Sequence, residues 1–268
     1  MDIALLKQDI LAPGEEKSAG LSPSKFDWSQ IRSAEDPHFE MAYTTLWQEF
    51  GAAHEMETRD AVAARLHGSP GLRYEFLLVR AEGALVAVRD HTAIATDGGF
   101  IVHLSHLFIA PLWRRSGIAG WMRAAPILTA RELASSMGIP SGVITLAGEM
   151  EYDDGHDPRK ALRLLAYERA GYRQIDPRTV PYHQPDFRTP AMIDAGGGAR
   201  PLPFQLIIRR VGHEAERTIT GAEVRRIVNA LYRLYRSQFR PQDMTHPALR
   251  LERYPADDTK IALIPPTA

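Results

Sequence analysis

The sequence contains no cysteine. This absence excludes disulfide bridges, a cysteine nucleophile, thiolate-bound zinc and iron–sulfur clusters. No apolar run approaches the ~18 residues typical of a membrane-spanning helix, and the first residues lack the basic start and long apolar stretch of a signal peptide. The net charge is −1, from 32 basic and 33 acidic residues, so no bulk charge attracts nucleic acid. We therefore expect a cytoplasmic protein with no membrane partner.

Several common catalytic signatures are also missing from the sequence. There is no G-x-S-x-G elbow, no H-E-x-x-H zinc motif and no P-loop. The glycine run that begins at Gly196 is not followed by a helical pattern, so we interpret it as an ordinary loop. What the chain does have is 268 residues at 44% hydrophobic and 24% charged, which is typical of a globular protein with its own core.

The hydrophobic pattern predicts a mixed α/β fold with a mostly antiparallel sheet flanked by helices. We expect a flexible or loosely docked arm over residues 1–25, a main domain over 26–211 and a C-terminal helical extension over 212–268. The expected elements of the main domain are a strand at 26–31, two helices at 37–50 and 58–66, an antiparallel meander at 74–109, a helix after Pro111, a strand near 143–146, a helix at 158–170, a strand from Tyr172, a long loop at 177–203 and a strand at 204–211. A final amphipathic helix should begin at Thr220, with Glu223 completing its cap.

The segment that carries chemistry is HLSHLFIAPLWRRSGIAGWM, residues 103–122. A predicted strand leads through Pro111 to Arg114 and Arg115, and a glycine-containing turn then opens a helix. Unpaired amides at a helix N-terminus attract anions, and glycine lets the backbone approach them closely. The two arginines add positive charge at the same place. A pyrophosphate cradle and an ordinary strand–loop–helix turn with exposed arginines both fit this spacing.

Two motifs resemble those of the GNAT superfamily of N-acetyltransferases. Arg114 to Ala119, R-R-S-G-I-A, is similar to the family signature Q/R-x-x-G-x-G/A, and Leu165 to Asp176 resembles its helix-to-strand segment. The order of predicted elements from Phe26 to Val211 fits that fold as well. The resemblance implies an acyl-CoA donor, acetyl-CoA in the first instance, with no metal. Its diphosphate would lie on the turn, and its pantetheine arm would pair with the strand before the turn and with 143–146. The residues implied in donor binding are Leu107, Phe108, Ile109, Arg114, Arg115, Ser116, Gly117, Ile118, Ala119 and Gly120.

The resemblance also implies two catalytic residues. His103 stands where GNAT enzymes carry a glutamate or a histidine credited with base catalysis, and a hydrogen-bonded core histidine is the alternative. Tyr167 would donate a proton to the leaving thiolate, and a packed helix tyrosine is the alternative. Lys160 and Arg163 occupy positions where the family often has Asn and Ala. By strand alternation we expect His103 on one face with Ser105, Leu107 and Ile109, and His106 on the other, which argues against a His-x-x-His metal pair.

Other candidates are less specific. Asp153, Asp154, His156 and Asp157 form an acidic loop that could attract a cationic amine or could simply be solvated. The segment YHQPDF, from Tyr182, could line an acceptor pocket or pack as a loop. The arginines of the last helix are expected to form a solvated face, with docking on an acidic partner or nucleic acid as the alternative.

These observations predict an N-acetyltransferase that acts by direct attack of an amine on acetyl-CoA, because no cysteine can hold an acyl intermediate. The acceptor would be a small-molecule or peptide amine, and a homodimer is compatible with the sequence. The alternatives are a transferase for a longer acyl-CoA, a CoA-binding sensor without catalysis, and a protein that docks on another protein through its last helix.

Overall fold

The computed structural model describes residues 3–53, 55–152 and 155–268. In these residues the helices are α1 (Glu16–Ala19), α2 (Phe39–Phe50), α3 (Arg59–Arg65), α4 (Ile118–Ser136), α5 (Pro158–Arg169), α6 (Pro190–Ala195) and α7 (Gly221–Arg236). The strands are β1 (Asp27–Ile31), β2 (Leu72–Ala81), β3 (Ala84–Thr96), β4 (Gly99–Ile109), β5 (Val143–Met150), β6 (Arg173–Ile175), β7 (His183–Gln184), β8 (Leu202–Pro203), β9 (Gln205–Arg210), β10 (Thr218–Thr220) and β11 (Lys260–Ile264).

The chain divides into two compact units, Met1–Leu146 and Ala147–Ala268, and the boundary falls inside β5. In the first unit the strand order is β1-β2-β3-β4-β5. The pairs β1–β2, β2–β3 and β3–β4 are all antiparallel. The meander predicted over residues 74–109 is therefore confirmed, with tight turns that carry Gly83 and Gly98 at positive φ.

Helices cover both faces of the sheet in the first unit. One face packs on α2 and α3 through a core that includes Phe39, Leu46, Val62, Phe76 and Val88. Successive strand residues point to opposite faces, so His91 lies on the other face.

On that second face the His91 Nε2 atom is 2.8 Å from the Thr129 hydroxyl of α4. Thus α4 covers the face opposite α2 and α3. The helix continues through the buried Pro126, which lacks an N–H group for a helical hydrogen bond.

In the second unit the strand order is β5-β9-β6-β11-β10. The predicted cap of α7 is present, because the Thr220 hydroxyl accepts from the Glu223 amide at 3.2 Å and the Glu223 carboxylate accepts from the Thr220 amide. No strand was expected after residue 211, yet β10 and β11 both lie there, and Leu263 of β11 pairs with Ile175 of β6. The segment 177–203 is also more regular than expected, with α6 and the paired strands β7 and β8. The prediction of a mixed, mostly antiparallel α/β fold is confirmed.

Candidate functional site

The turn between β4 and α4 has an unusual backbone. Arg115 has φ 69° and Gly117 has φ 102°, so two residues in three adopt the left-handed region. The Ser116 amide donates to the Trp113 carbonyl at 3.2 Å, and the Ser116 hydroxyl accepts from the Ile118 amide at 3.2 Å. Successive N–H groups of a turn conformation can point to one side and form an anion-binding concavity. The local conformation is therefore suited to an anion.

Within the part of the chain that the structure describes, the amides of Arg115, Gly117 and Ala119 donate no hydrogen bond. The side chains of Arg114 and Arg115 are exposed beside them. The α4 helix that follows is 19 residues long, and its N-terminus carries the positive end of the helix dipole. Free donors, fixed charge and helix dipole thus coincide at this turn, which could hold the diphosphate of a nucleotide-containing donor.

The end of β4 differs from its buried middle. Leu107, Phe108 and Ile109 are all half-buried, whereas Phe100 to Leu104 are buried. The Ile109 carbonyl accepts a hydrogen bond from Arg114 Nε at 3.2 Å, so one backbone group expected to meet the pantetheine arm has a partner within the protein. The Arg114 side chain is thereby tied to the strand end that precedes the turn.

His103 and His106 do not lie on opposite faces of β4, as we had expected. The register pairs Leu104 with His91 and His106 with Asp90, which leaves Ser105 as an extra residue on β4. This bulge reverses the alternation beyond it. Because paired residues share a face, His103, His106 and Phe108 lie on the face that packs on α2 and α3, and Leu107 and Ile109 lie on the α4 face. His103 and His106 therefore share a face, contrary to our expectation.

His103 is buried, with 5% of its surface exposed. Its Nδ1 atom lies 3.3 Å from the Ser105 hydroxyl of the bulge. The bulge thus both sets the face on which His103 lies and supplies a polar contact to its ring. Within the described residues, no group of three or more histidine, aspartate or glutamate side chains could hold a metal ion.

His106 forms a buried pair with Asp90 that the sequence analysis missed. His106 Nδ1 lies 2.9 Å from Asp90 Oδ1, and His106 Nε2 lies 2.9 Å from the Glu55 carbonyl. A carboxylate and a carbonyl only accept hydrogen bonds, so both ring nitrogens must donate and His106 is an imidazolium. Asp90 also accepts from the Tyr74 hydroxyl at 3.0 Å and from the His106 amide at 2.8 Å.

The pKa values of His106 and Asp90 are shifted in opposite directions. Burial works against the charged form of each group, but the charge and hydrogen bonds of the partner prevail. The pKa of His106 is therefore raised and that of Asp90 is lowered. The His106 imidazolium is thus one partner of a structural ion pair with Asp90. His103 therefore remains the candidate base on β4.

The N-terminal segment packs on the glycines of the turn. The Ser18 hydroxyl donates to the Gly117 carbonyl at 2.6 Å, and the Trp121 indole donates to the Leu21 carbonyl at 2.8 Å. A Cβ atom at Gly117 would lie 2.6 Å from the Lys17 carbonyl oxygen, and one at Gly120 would collide with Ser18. These two glycines thus make room for the N-terminal segment on the flank of α4, which the sequence analysis did not foresee.

Further contacts hold this segment in place. Arg123 Nε donates to the Glu15 carboxylate at 2.7 Å, and Ser18 is fully buried. The contacts lie along one side of the first turns of α4, at Gly120 and Arg123, and reach the turn itself at the Gly117 carbonyl. The segment therefore flanks the proposed cradle, and the side chains of Arg114 and Arg115 stay exposed.

Tyr167 lies in the second unit, on α5. Its side chain is 7% exposed and packs edge-to-face on Tyr172, with ring centroids 4.9 Å apart. The helix begins at Pro158 as predicted, capped by Asp157, whose carboxylate accepts from the Arg159 amide at 2.9 Å. Lys160 and Arg163 both approach Glu151, at 3.4 and 3.5 Å.

The remaining sequence candidates are distributed differently. Asp157 serves as the helix cap, and Asp153 and Asp154 lie outside the described residues. On α7, Arg225 pairs with Asp257 at 2.9 Å.

Across the described residues, no helix is both long enough and apolar enough to cross a membrane.

Along the chain, a strand and two helices precede a three-stranded meander, and the R-R-S-G-I-A turn then opens a long helix. A strand, a helix that carries Tyr167 and a further strand follow, in the order that the resemblance predicts. The described residues therefore have a mixed α/β fold whose order of elements is the one that the resemblance predicts.

No family model and no curated protein matches the sequence. Among solved structures, a tandem GNAT protein from the clavulanic acid biosynthesis pathway is 20% identical with a TM-score of 0.37, over 60% of this chain and 48% of that one. An aminoglycoside 6'-N-acetyltransferase complexed with coenzyme A is 16% identical with a TM-score of 0.40, over 69% of this chain and 97% of that one.

A third similar structure is Arabidopsis thaliana Naa50 in complex with a bisubstrate analogue. It is 9% identical with a TM-score of 0.40, over 69% of this chain and 98% of that one. The chain thus spans about half the length of the tandem protein and nearly all of the other two.

Proposed function

We propose that the protein transfers an acyl group from acyl-CoA to a primary amine. The observation that carries this proposal is the turn at Arg114 to Gly120, where three amides have no acceptor among the described residues and lie at the positive end of a long helix. A diphosphate supplies the anion that such donors bind. The half-buried strand end at Leu107 to Ile109 would accompany the pantetheine arm.

The reaction needs one proton removed and one delivered. A lysine-like amine with a pKa near 10.4 is almost wholly protonated at pH 7, and freeing its lone pair costs ~4.6 kcal/mol at 1.36 kcal/mol per unit. In our proposal His103 accepts that proton, and the amine nitrogen attacks the thioester carbonyl carbon. The carbon–sulfur bond breaks, and Tyr167 protonates the departing thiolate. No cysteine is available to hold the acyl group, which supports direct transfer.

Donor binding can be tested without knowing the acceptor. CoA at a hundredfold excess over its Kd should stabilise the folded protein by ~2.7 kcal/mol, which a thermal-shift assay detects. Arg115→Gly removes one charge and keeps the left-handed backbone that glycine favours. We expect it to weaken CoA binding ~5- to 10-fold, because an exposed charged hydrogen bond is worth ~1 kcal/mol or slightly more.

The matched control for this experiment is Arg131→Ala, which removes an exposed arginine from α4, the helix that follows the turn. Its affinity for CoA should equal that of the wild type. If CoA at millimolar concentration does not stabilise the protein, the hypotheses of a transferase and of a CoA-binding sensor are both wrong. The hypothesis that the last helix docks on another protein would then gain support.

Catalysis is tested by thiol release from acetyl-CoA in the presence of an amine panel. Tyr167→Phe and His103→Ala should each lower kcat ~100-fold or more, the usual size of one proton-transfer contribution. Tyr152→Phe, at a 40% exposed tyrosine of the same unit, should leave kcat unchanged. If both variants keep wild-type turnover, the catalytic roles proposed for His103 and Tyr167 are wrong. CoA binding without thiol release would favour a CoA-binding sensor.

A longer acyl donor remains the alternative to acetyl-CoA. Side-by-side kcat/KM values for two-carbon and longer acyl-CoA donors will decide between them. We expect the two-carbon donor to be preferred.

A further inference from the structure

Residues 15–26 contact the turn between β4 and α4 at both of its ends. At the end where α4 begins, the Ser18 hydroxyl donates to the Gly117 carbonyl at 2.6 Å. At the other end the Phe26 ring packs edge-to-face on Trp113, with ring centroids 5.4 Å apart. Both Ser18 and Phe26 are buried. This part of the chain therefore spans the whole turn as well as lying against the helix.

The direction of the Ser18 hydrogen bond follows from the distances around its hydroxyl. A serine hydroxyl has one hydrogen to donate. The Gly117 carbonyl, at 2.6 Å, is nearer to the hydroxyl than the Glu15 carboxylate, at 3.1 Å. That carboxylate is already engaged, because its Oε1 atom accepts from Arg123 Nε at 2.7 Å. We therefore assign the Ser18 hydrogen to the Gly117 carbonyl.

This bond fixes a peptide group that glycine would otherwise leave free to rotate. The peptide between Gly117 and Ile118 is held at both ends, its carbonyl by Ser18 and its N–H by the Ser116 hydroxyl at 3.2 Å. The same carbonyl also accepts from the Gly120 amide, through a longer bond of 3.2 Å. Rotation of the peptide would place the carbonyl oxygen where the Ile118 amide now lies. A carbonyl oxygen is an acceptor and would repel an anion, so the Ser18 bond preserves the donor character of the turn.

The serine hydroxyl contributes little to the ordinary packing of the N-terminal residues. Leu6, Ile10 and Ala12 are buried and supply the apolar contacts of this part of the chain. An alanine would suit a fully buried position at residue 18 as well, because a buried hydroxyl costs free energy unless it is hydrogen-bonded. The hydroxyl that is present makes its shortest bond to Gly117, the residue with φ 102° at the start of the helix.

We propose that Ser18 is a positioning residue for the diphosphate of the acyl donor. It holds the Gly117 peptide in the orientation that keeps the turn a set of hydrogen-bond donors, and Phe26 supports the turn from its other end. The inference rests on the proposed acyltransferase function and deepens it, because it makes residues 15–26 part of the donor site. Coupling between two binding events is reciprocal, so CoA in turn stabilises the packing of these residues on the turn.

The test compares CoA with two ligands that each carry one part of it. Ser18→Ala removes the hydroxyl and keeps a small side chain at the buried position. We expect it to weaken the binding of CoA, in calorimetric titration, and of inorganic diphosphate, in phosphorus NMR titration, each by ~5- to 10-fold, the factor that one hydrogen bond supplies. Pantetheine lacks the diphosphate and should bind to Ser18→Ala as it binds to the wild type, in ligand-detected NMR. A merely structural defect would weaken all three ligands alike.

Gln8→Ala is the matched control for this experiment. The Gln8 side-chain amide donates to the Ala19 carbonyl at 2.8 Å, so the variant removes a bond to residues 15–26 that does not involve the turn. It should bind all three ligands as the wild type does. Phe26→Leu keeps an apolar side chain and removes the ring contact with Trp113, and it should weaken CoA and diphosphate but not pantetheine. This second variant decides the question if Ser18→Ala does not fold.

The positioning role is overturned if folded Ser18→Ala binds CoA and diphosphate as the wild type does, or if pantetheine binding weakens to the same extent. Unaltered CoA binding in that variant would leave the acyltransferase function standing. Diphosphate binding that depends on Ser18, without any binding of CoA, would support the positioning role and remove the acyltransferase. A wild-type protein that binds neither CoA nor diphosphate would remove both.

Discussion

The buried pair of Asp90 and His106 allows a prediction with a defined pH dependence. His106→Gln removes the imidazolium and keeps a side chain of similar length, whose amide can still donate to Asp90. Removing one partner of a buried ion pair costs ~3–5 kcal/mol, because the remaining charge loses its counter-ion. We expect a loss of about 3 kcal/mol, at the lower end, because Asp90 keeps its bonds from Tyr74 and from the backbone amide of residue 106.

The sign of the pH dependence follows from the two pKa shifts. The raised pKa of His106 means that its stabilising contribution is complete below its unfolded pKa of ~6.5 and is lost as pH rises through the folded pKa. The lowered pKa of Asp90 means that its contribution is present above ~3.8 and is lost as pH falls through the folded pKa. The difference in unfolding free energy between wild type and His106→Gln should therefore be largest between about pH 4 and 6.5. It should become smaller at lower and at higher pH.

Urea unfolding at pH 5.5 and at pH 8.5 measures this gap directly. A loss of 3 kcal/mol corresponds to a Tm lower by ~6–12 °C for a chain of this size. His67→Gln, at an exposed histidine of the same unit, should change the unfolding free energy by less than ~0.5 kcal/mol. A gap that is below ~1 kcal/mol, or that is the same at both pH values, would refute the assignment of an imidazolium at residue 106.

Two further predictions concern stability. Gly120→Ala places a methyl group against Ser18 and should lower the unfolding free energy by ~1–3 kcal/mol, with altered fluorescence of the adjacent tryptophan. Gly20→Ala has room for a methyl group and should be neutral in the same unfolding and fluorescence assays. Thr220→Ala removes the cap of α7 and should cost ~1 kcal/mol in urea unfolding, whereas Thr179→Ala, at an exposed position, should cost almost nothing. An equal effect in either matched pair would contradict the contact concerned.

The sequence was sufficient for the order of elements in the first unit, because hydrophobic alternation and turn residues are local signals. It was also sufficient to select the turn at Arg114 to Ala119, since glycine and arginine before a helical pattern are visible without a structure. The face of His103 was predicted wrongly for a physical reason. A β-bulge adds one residue to a strand without changing its composition, so Ser105 left no trace in the alternation.

The contacts that the sequence could not reveal are long-range ones. Ser18 meets Gly117 across 99 residues, and Tyr235 meets Glu149 across 86. A weak signal did exist for the buried polar groups, because the run Arg89-Asp90-His91 interrupts the apolar pattern of β3 and Glu149 interrupts that of β5. Such an interruption marks a residue that needs a buried partner. It does not indicate which part of the chain supplies the partner.

The placement of β11 between β6 and β10 has a consequence for how the protein is made. Neighbouring strands of the meander follow one another along the chain, so that they can pair as soon as they emerge from the ribosome. The sheet of the second unit must wait for residues 260–264. At ~5–20 residues per second, the ~118 residues between the end of the first unit and Ile264 take roughly 6–24 s to synthesise. During that interval β6 presents an unsatisfied edge, which makes the second half of the chain the part most in need of a chaperone.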